Sequence, residues 1–338
     1  MLGKAEDSAR HHFGAIQSLR AIAAALVVFQ HVTYYVVTSM GVDFSPYLEI
    51  DYGRLGVSLF FVISGFVMIG CLNQGNKFLL NRALRIYPAF WAAIGLSGLL
   101  LLNSTLDWRF DWKSTTLIPT TDGNGSYRIP YWTLMFEVAF YGVIYLWIVA
   151  GGKRNSIKYL CVGWLAVIVA VNKYVAVPIM LPGALVLFSY YNIYFIFGML
   201  IGLYHEDLIK VPSVALALVG VGGWAVGENN SLLAPIAGNV IMAVSFASTV
   251  CLSLRVLKIK WLEALGNLSY GVYLLHVPVA LATIDFLRDH LPTLRLSLLW
   301  LVTILVALVV SGVFGLGEHW FHARVVKRRR RRRSVAVA

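Results

Sequence analysis

Arg20 and His31 stand eleven positions apart in IQSLRAIAAALVVFQH, where residues 21 to 29 are all apolar. At helical rise the two side chains lie roughly 16 Å apart along one axis, about half the hydrocarbon thickness of a bilayer. Ionisable groups are costly there and tend to be kept for function. The plainer account is an arginine reaching for the interface and a histidine hydrogen-bonded inside a bundle. A second ionisable group, Glu137, falls in YWTLMFEVAFY, about six residues into another apolar run. If both helices start from the same outer boundary, His31 and Glu137 share a depth of roughly 8–9 Å. A carboxylate facing a histidine orients the imidazole and stabilises the imidazolium, as general base chemistry requires. The competing partners for Glu137 are Arg128 or a backbone group.

Arg82 and Arg85 lie in NQGNKFLLNRALRIYP at 73–88, one helical turn apart, with Pro88 suited to the first turn of the helix that follows. Arg20 sits near the same end of its own helix, so three guanidiniums can meet there. Planar guanidinium forks match phosphate, and such a cluster suits an anionic ligand with several phosphates. The alternative is the positive-inside bias with contact to lipid phosphate. GVSLFFVISGFVM at 56–68 sets Ser58 and Ser64 among small and aromatic residues, a pattern that close packing alone explains. LGNLSYGVYLLH at 265–276 opens a late helix with Gly266 and aligns Ser269, Tyr273 and His276 on one face. His276 fits a packing role better than His31 does. The other histidines form no metal constellation, and neither a GxSxG elbow nor a Walker loop is present, so hydrolase and ATPase chemistry have no support.

These residues need a scaffold, and composition says which. Of 338 residues 59% are hydrophobic and 13% charged, with a mean hydropathy of +0.74. That is an all-α membrane protein. Apolar runs fall at about 16–36, 55–72, 86–103, 130–149, 157–177, 184–204, 211–227, 231–254, 267–286 and 296–320, which predicts about ten transmembrane helices. With both termini in the cytoplasm, 20 basic residues lie inside against 7 outside, as the positive-inside rule requires. The chain divides into a cytoplasmic segment 1–15, a membrane domain 16–322 and a basic tail 323–338. That tail, Lys327 and Arg328 to Arg333, supplies over half the net charge of +12; it reads as a cytoplasmic anchor on anionic lipid, not as a nucleic-acid arm. No cleavable signal peptide is expected, and Cys71, Cys161 and Cys251 read as buried packing thiols. The longest connection, about 104–129, carries Asp107, Trp108, Asp111 and Trp112 and a tight turn at 122–125. It reads equally as a lid or acceptor-binding element and as a solvated loop.

Taken in order, the motifs resemble the integral-membrane acyltransferase 3 family, which O-acylates bacterial polysaccharides, lipopolysaccharide and Nod-type oligosaccharides. Arg20 and His31 match its Arg-x10-His signature, GVSLFFVISGF its second-helix block, and RALRIYP its Arg-x-x-Arg stretch. WTLMFE at 132–137 and LGNLSYGVYLLH match two later blocks. The resemblance implies a ten-helix bundle in the bacterial inner membrane that takes an acyl group, acetyl or less readily succinyl, from cytoplasmic acyl-CoA. His31 is then base or acyl acceptor, with Arg20 as required partner and Glu137 as orienter. Arg82 and Arg85 are the expected coenzyme A phosphate contacts, and Trp132, Ser64, Tyr270 and His276 the expected substrate contacts. No metal is expected. The partners implied are membrane lipid and a glycan acceptor; the basic tail lies outside the family pattern, and the chain reads as a stand-alone version without an appended esterase-like domain. A transporter or lipid-linked sugar translocase with a buried proton relay is the rival, without the inverted repeat such folds carry.

Overall fold

Each of the ten apolar runs carries an α-helix over most of its described residues, because a chain in hydrocarbon must satisfy its own N–H and C=O groups. The computed structural model describes residues 2–102, 104, 108–119, 126–178, 180, 182–228 and 235–335, with side chains except at 2–13, 48, 228 and 326–335. The helices are α1 Leu2–Ser39, α2 Tyr52–Ile69, α3 Phe78–Leu100, α4 Trp132–Val149, α5 Ile157–Tyr174, α6 Tyr191–Leu208, α7 Ser213–Glu228, α8 Pro235–Val256, α9 Lys260–His290 and α10 Leu296–Val335. No strand occurs among the described residues. Eight of these helices are long and apolar enough to cross a membrane. The other two of the ten expected spans are weaker: α6 carries His205, Glu206 and Asp207 in its last turn, and α7 has only 16 residues. The protein is an all-α, multi-pass membrane protein.

Two boundaries differ from expectation. Helix α3 begins at Phe78, so Pro88 lies inside it instead of in its first turn, and Arg82 and Arg85 belong to the helix itself. Helix α9 begins at Lys260, which puts Gly266 within it; a Cβ there would run into the backbone of Gln17. That contact lets α9 lie directly along α1, and α10 closes against both, with the Trp300 indole donating to Thr33 Oγ1 at 2.9 Å.

Not all helices start at one level. Gly53 rests on Gln30, and Gly56 on Ala23 and Val27, so α2 begins about nine residues, or roughly 13 Å, short of the end of α1. Helix α4 likewise begins beside Tyr273, where the Thr133 and Tyr273 hydroxyls lie 2.6 Å apart, although α9 runs on to His290. The connection before α4 descends to that level along α3. Tyr87 and Trp91 donate to the carbonyls of Thr116 and Thr115 at 2.9 and 3.1 Å, Ser97 donates to Tyr127 O at 2.5 Å, and Tyr127 and Tyr131 are fully buried. Among its described residues Ser114, Leu117 and Tyr127 are packed into the bundle, whereas Phe110 and Trp112 are exposed; its 122–125 turn lies outside the described residues.

Helices α2 and α6 meet backbone to backbone at Gly65 and Gly198, where a Cβ on either would strike a carbonyl oxygen, of Phe195 or Val62 respectively. Gly198→Val is therefore expected to cost about 1–3 kcal/mol or more by overpacking. Gly95→Ala, which meets nothing within 4 Å, should be neutral. Thermal unfolding of the two variants in detergent checks this: equal midpoints would mean that the α2–α6 contact is not tight.

Candidate active site

Arg20, Phe60, Glu137, Ser269, Tyr270 and Tyr273 line an internal cavity of about 40 Å³ between α1, α2, α4 and α9, enough for a few waters. Its polar wall is held from outside. Ser64 donates to Glu137 Oε1 at 3.2 Å and Tyr141 to Oε2 at 3.3 Å. Tyr270 donates to Ile86 O at 2.9 Å and Tyr273 to Pro130 O at 2.8 Å. The Ser269 hydroxyl is buried without a partner. Arg20 lies in electrostatic range of Glu137, Glu318 and Arg85, so the buried guanidinium is offset by carboxylates from two other helices.

The same region extends to Arg82 and Arg85. Arg85 Nη1 binds Glu318 Oε1 of α10 at 2.6 Å, and its guanidinium lies 5.2 Å from the Tyr270 ring centroid. Arg82 lies 5.8 Å from the centroids of both Phe78 and Tyr141, and its Nε is buried without a hydrogen-bond partner. Arg82 is thus a planar cation with an unsatisfied, buried Nε, beside an Arg85 already paired to a carboxylate.

His31 is elsewhere. Its Nδ1 lies 2.8 Å from His276 Nε2, with the rings 11° from parallel. His276 Nδ1 in turn lies 3.0 Å from Val272 O, one turn back on α9. His276 is fully buried and His31 partly exposed, so the accessible edge of the pair belongs to His31.

The structure thus brings Arg20, Arg82 and Arg85 together at one level, with Glu137, Ser64 and Tyr270 around them, and sets His31 with His276 farther along α1. The expected His31–Glu137 pair does not form, because α4 starts below the end of α1 and carries Glu137 down to Arg20. Trp132 packs on Tyr191 and Phe136, with centroids 5.4 and 6.0 Å away, and does not line the cavity. Glu318 is a site residue that the sequence conceals: it stands near the end of an apolar run with no motif around it, and its burial beside a cation is what identifies it. Among the described residues no group of three or more histidine, cysteine or acidic side chains could hold a metal ion.

The chain matches a family model described as "Acyltransferase domain" over residues 13–317. It is 30% identical to "Exopolysaccharide production protein ExoZ" of Rhizobium meliloti (strain 1021) over 259 residues, 66% of this chain and 75% of that protein. It is 27% identical to "Nodulation protein 10" of Rhizobium leguminosarum bv. viciae over 104 residues, 30% of this chain and 28% of that one. No solved structure matches.

The placement of Glu137 can be tested by two double-mutant cycles on stability. Neighbouring charges typically couple by about 0.5–3 kcal/mol, whereas distant sites add within about 0.5 kcal/mol. Arg20→Gln with Glu137→Gln should show coupling in that range, and His31→Gln with Glu137→Gln should show none. The reverse pattern in denaturant unfolding would place Glu137 with His31 after all.

Proposed function

We infer the function from one premise: this chain belongs to the acyltransferase family whose domain it carries, and it is a membrane-embedded acyltransferase enzyme. The reading that fits best is O-acylation of a hydroxyl on an exported polysaccharide or oligosaccharide by acyl-CoA. The acceptor class follows from the relative named for exopolysaccharide production. The donor follows from chemistry. Arg82 and Arg85 suit the phosphates of coenzyme A at the face where both termini would lie in the cytoplasm of a bacterial inner membrane. The cavity walled by Arg20 and Glu137 lies between that cluster and His31, on the path a thioester would take. The acyl group would be acetyl, or less readily succinyl. One observation carries the reading: guanidiniums, a cavity with Arg20 and Glu137 in its wall, and imidazole follow one another along α1.

In the proposed reaction the acceptor hydroxyl attacks the thioester carbonyl while His31 takes its proton. The new ester C–O bond forms, the C–S bond breaks with its electron pair left on sulfur, and the imidazolium returns the proton to the thiolate. Arg20, roughly 16 Å from His31 along α1, is placed to bind the donor on its way to the imidazole and not the oxyanion formed there. The side chains of Ser64 and Tyr141 hold Glu137, which offsets Arg20.

His31→Ala should lower transfer by about 10²-fold or more while leaving expression and membrane insertion intact. Near wild-type glycan acylation by that variant, read by mass spectrometry, would remove His31 from the mechanism.

Losing a hydrogen bond to a charged group costs about 1.5–3 kcal/mol, or roughly 10–100-fold in affinity. Arg82→Ala should weaken acyl-CoA binding by that much and Arg85→Ala by less, since Glu318 already neutralises Arg85. Affinity for the acceptor should stay within about twofold for both. Titration of purified protein with acyl-CoA decides it: no binding at all favours a transporter, and a loss confined to the acceptor would refute phosphate recognition.

A further inference from the structure

We propose that His276 is a positioning residue that locks His31 in the Nδ1–H tautomer, leaving Nε2 as the one basic lone pair at the site. This rests on the reading of His31 as the proton acceptor, but the hydrogen-bond chain that supports it is a matter of geometry alone.

The direction of the chain follows link by link. Val272 O can only accept, so the 3.0 Å contact requires the proton on His276 Nδ1. His276 is fully buried and bonded to no carboxylate, and an isolated buried charge is too costly to keep, so its ring is neutral. A neutral ring with its proton on Nδ1 presents a lone pair at Nε2. The 2.8 Å contact then requires His31 Nδ1 to donate, and a neutral His31 has its remaining lone pair on Nε2. Among the described residues no side chain bonds to that nitrogen. A backbone carbonyl on α9 thereby dictates, through two imidazoles, which nitrogen of a residue on α1 can take a proton. This is the orienting role usually given to a carboxylate, filled here by a neutral group. The acceptor hydroxyl must accordingly approach the edge of His31 that faces away from α9. When His31 takes the hydroxyl proton at Nε2, its Nδ1–H bond to His276 becomes charge-assisted and strengthens as the positive charge forms.

The near-parallel rings also explain why α1 and α9 lie so close. Gly266 permits the approach at one end, and the paired rings occupy the space at the other.

The test uses the full-length protein in detergent or nanodiscs with 15N-labelled histidine, the His31 signals being assigned by their loss in His31→Gln. In the wild type His31 should show a protonated Nδ1 and an unprotonated Nε2. In His276→Phe, which cannot accept, His31 should move toward the Nε2–H form favoured by an imidazole in water. Kinetically, His276→Phe should lower kcat by about 10²-fold with the donor KM within about twofold of wild type. His276→Gln, whose amide oxygen can still accept from Nδ1, should recover at least tenfold of that loss. A wild-type His31 with Nε2 protonated overturns the proposal even if no variant folds, and so do equal kcat losses for Phe and Gln. The two readings can be separated: if His31→Ala keeps full activity, His31 is not the base, whereas the tautomer still stands or falls on the nitrogen spectrum.

Discussion

A guanidinium held inside a membrane bundle, with room for only a few waters beside it, must be answered largely by the protein itself. Arg20 imposes that demand, and much of the architecture around it can be understood as the reply. Glu137 comes from α4 and Glu318 from α10, each fixed by a further partner: Ser64 and Tyr141 for the first, Arg85 for the second. Those partners bring α2 and α3 into the same layer. Five helices therefore converge on one level, and beside them the largely apolar cavity between α1, α2, α4 and α9 has Arg20 and Glu137 in its wall.

The two ends of the site differ in how they manage polarity. Around Arg20 the charges are multiple and mutually compensating. Around His31 nothing is charged, and the pair is satisfied through a carbonyl of the helix backbone. The proposed reaction, with a polyanionic donor on one side and a neutral hydroxyl on the other, has use for both environments. In that proposal the separation along α1 keeps the arginine field away from the nitrogen that accepts a proton.

Much of this was legible in the sequence, and the failures have physical causes. The all-helical membrane fold, the Arg20–His31 spacing and the gathering of Arg20 with Arg82 and Arg85 follow from periodicity and charge. Depth did not. Placing Glu137 opposite His31 assumed that α1 and α4 share a boundary. The segment carrying Tyr127 and Tyr131 is instead buried against α3, and α4 starts lower. The polar residues that anchor it, Ser97 among them, look like ordinary loop and helix-end chemistry until their partners are known. Helix starts at Phe78 and Lys260 were missed because the polar residues there suggest loops, although each belongs to a helix that continues past the apolar run. The His276 contact with His31 is a tertiary pairing between the first helix and the ninth, and no local pattern announces it.

That pairing also sets a timetable for the molecule. The two rings are 245 residues apart in the chain. At synthesis rates of about 5–20 residues per second, His31 is made roughly 12–50 s before its partner exists. Within that interval Glu137 becomes available to Arg20, but His31 still lacks His276 and Arg20 still lacks Glu318. The first helix is in this sense the least finished when it is made, and it depends on α9 and α10 to complete it. A ribosome that stalls before α9 would leave a chain with most of its helices and a His31 without its partner ring.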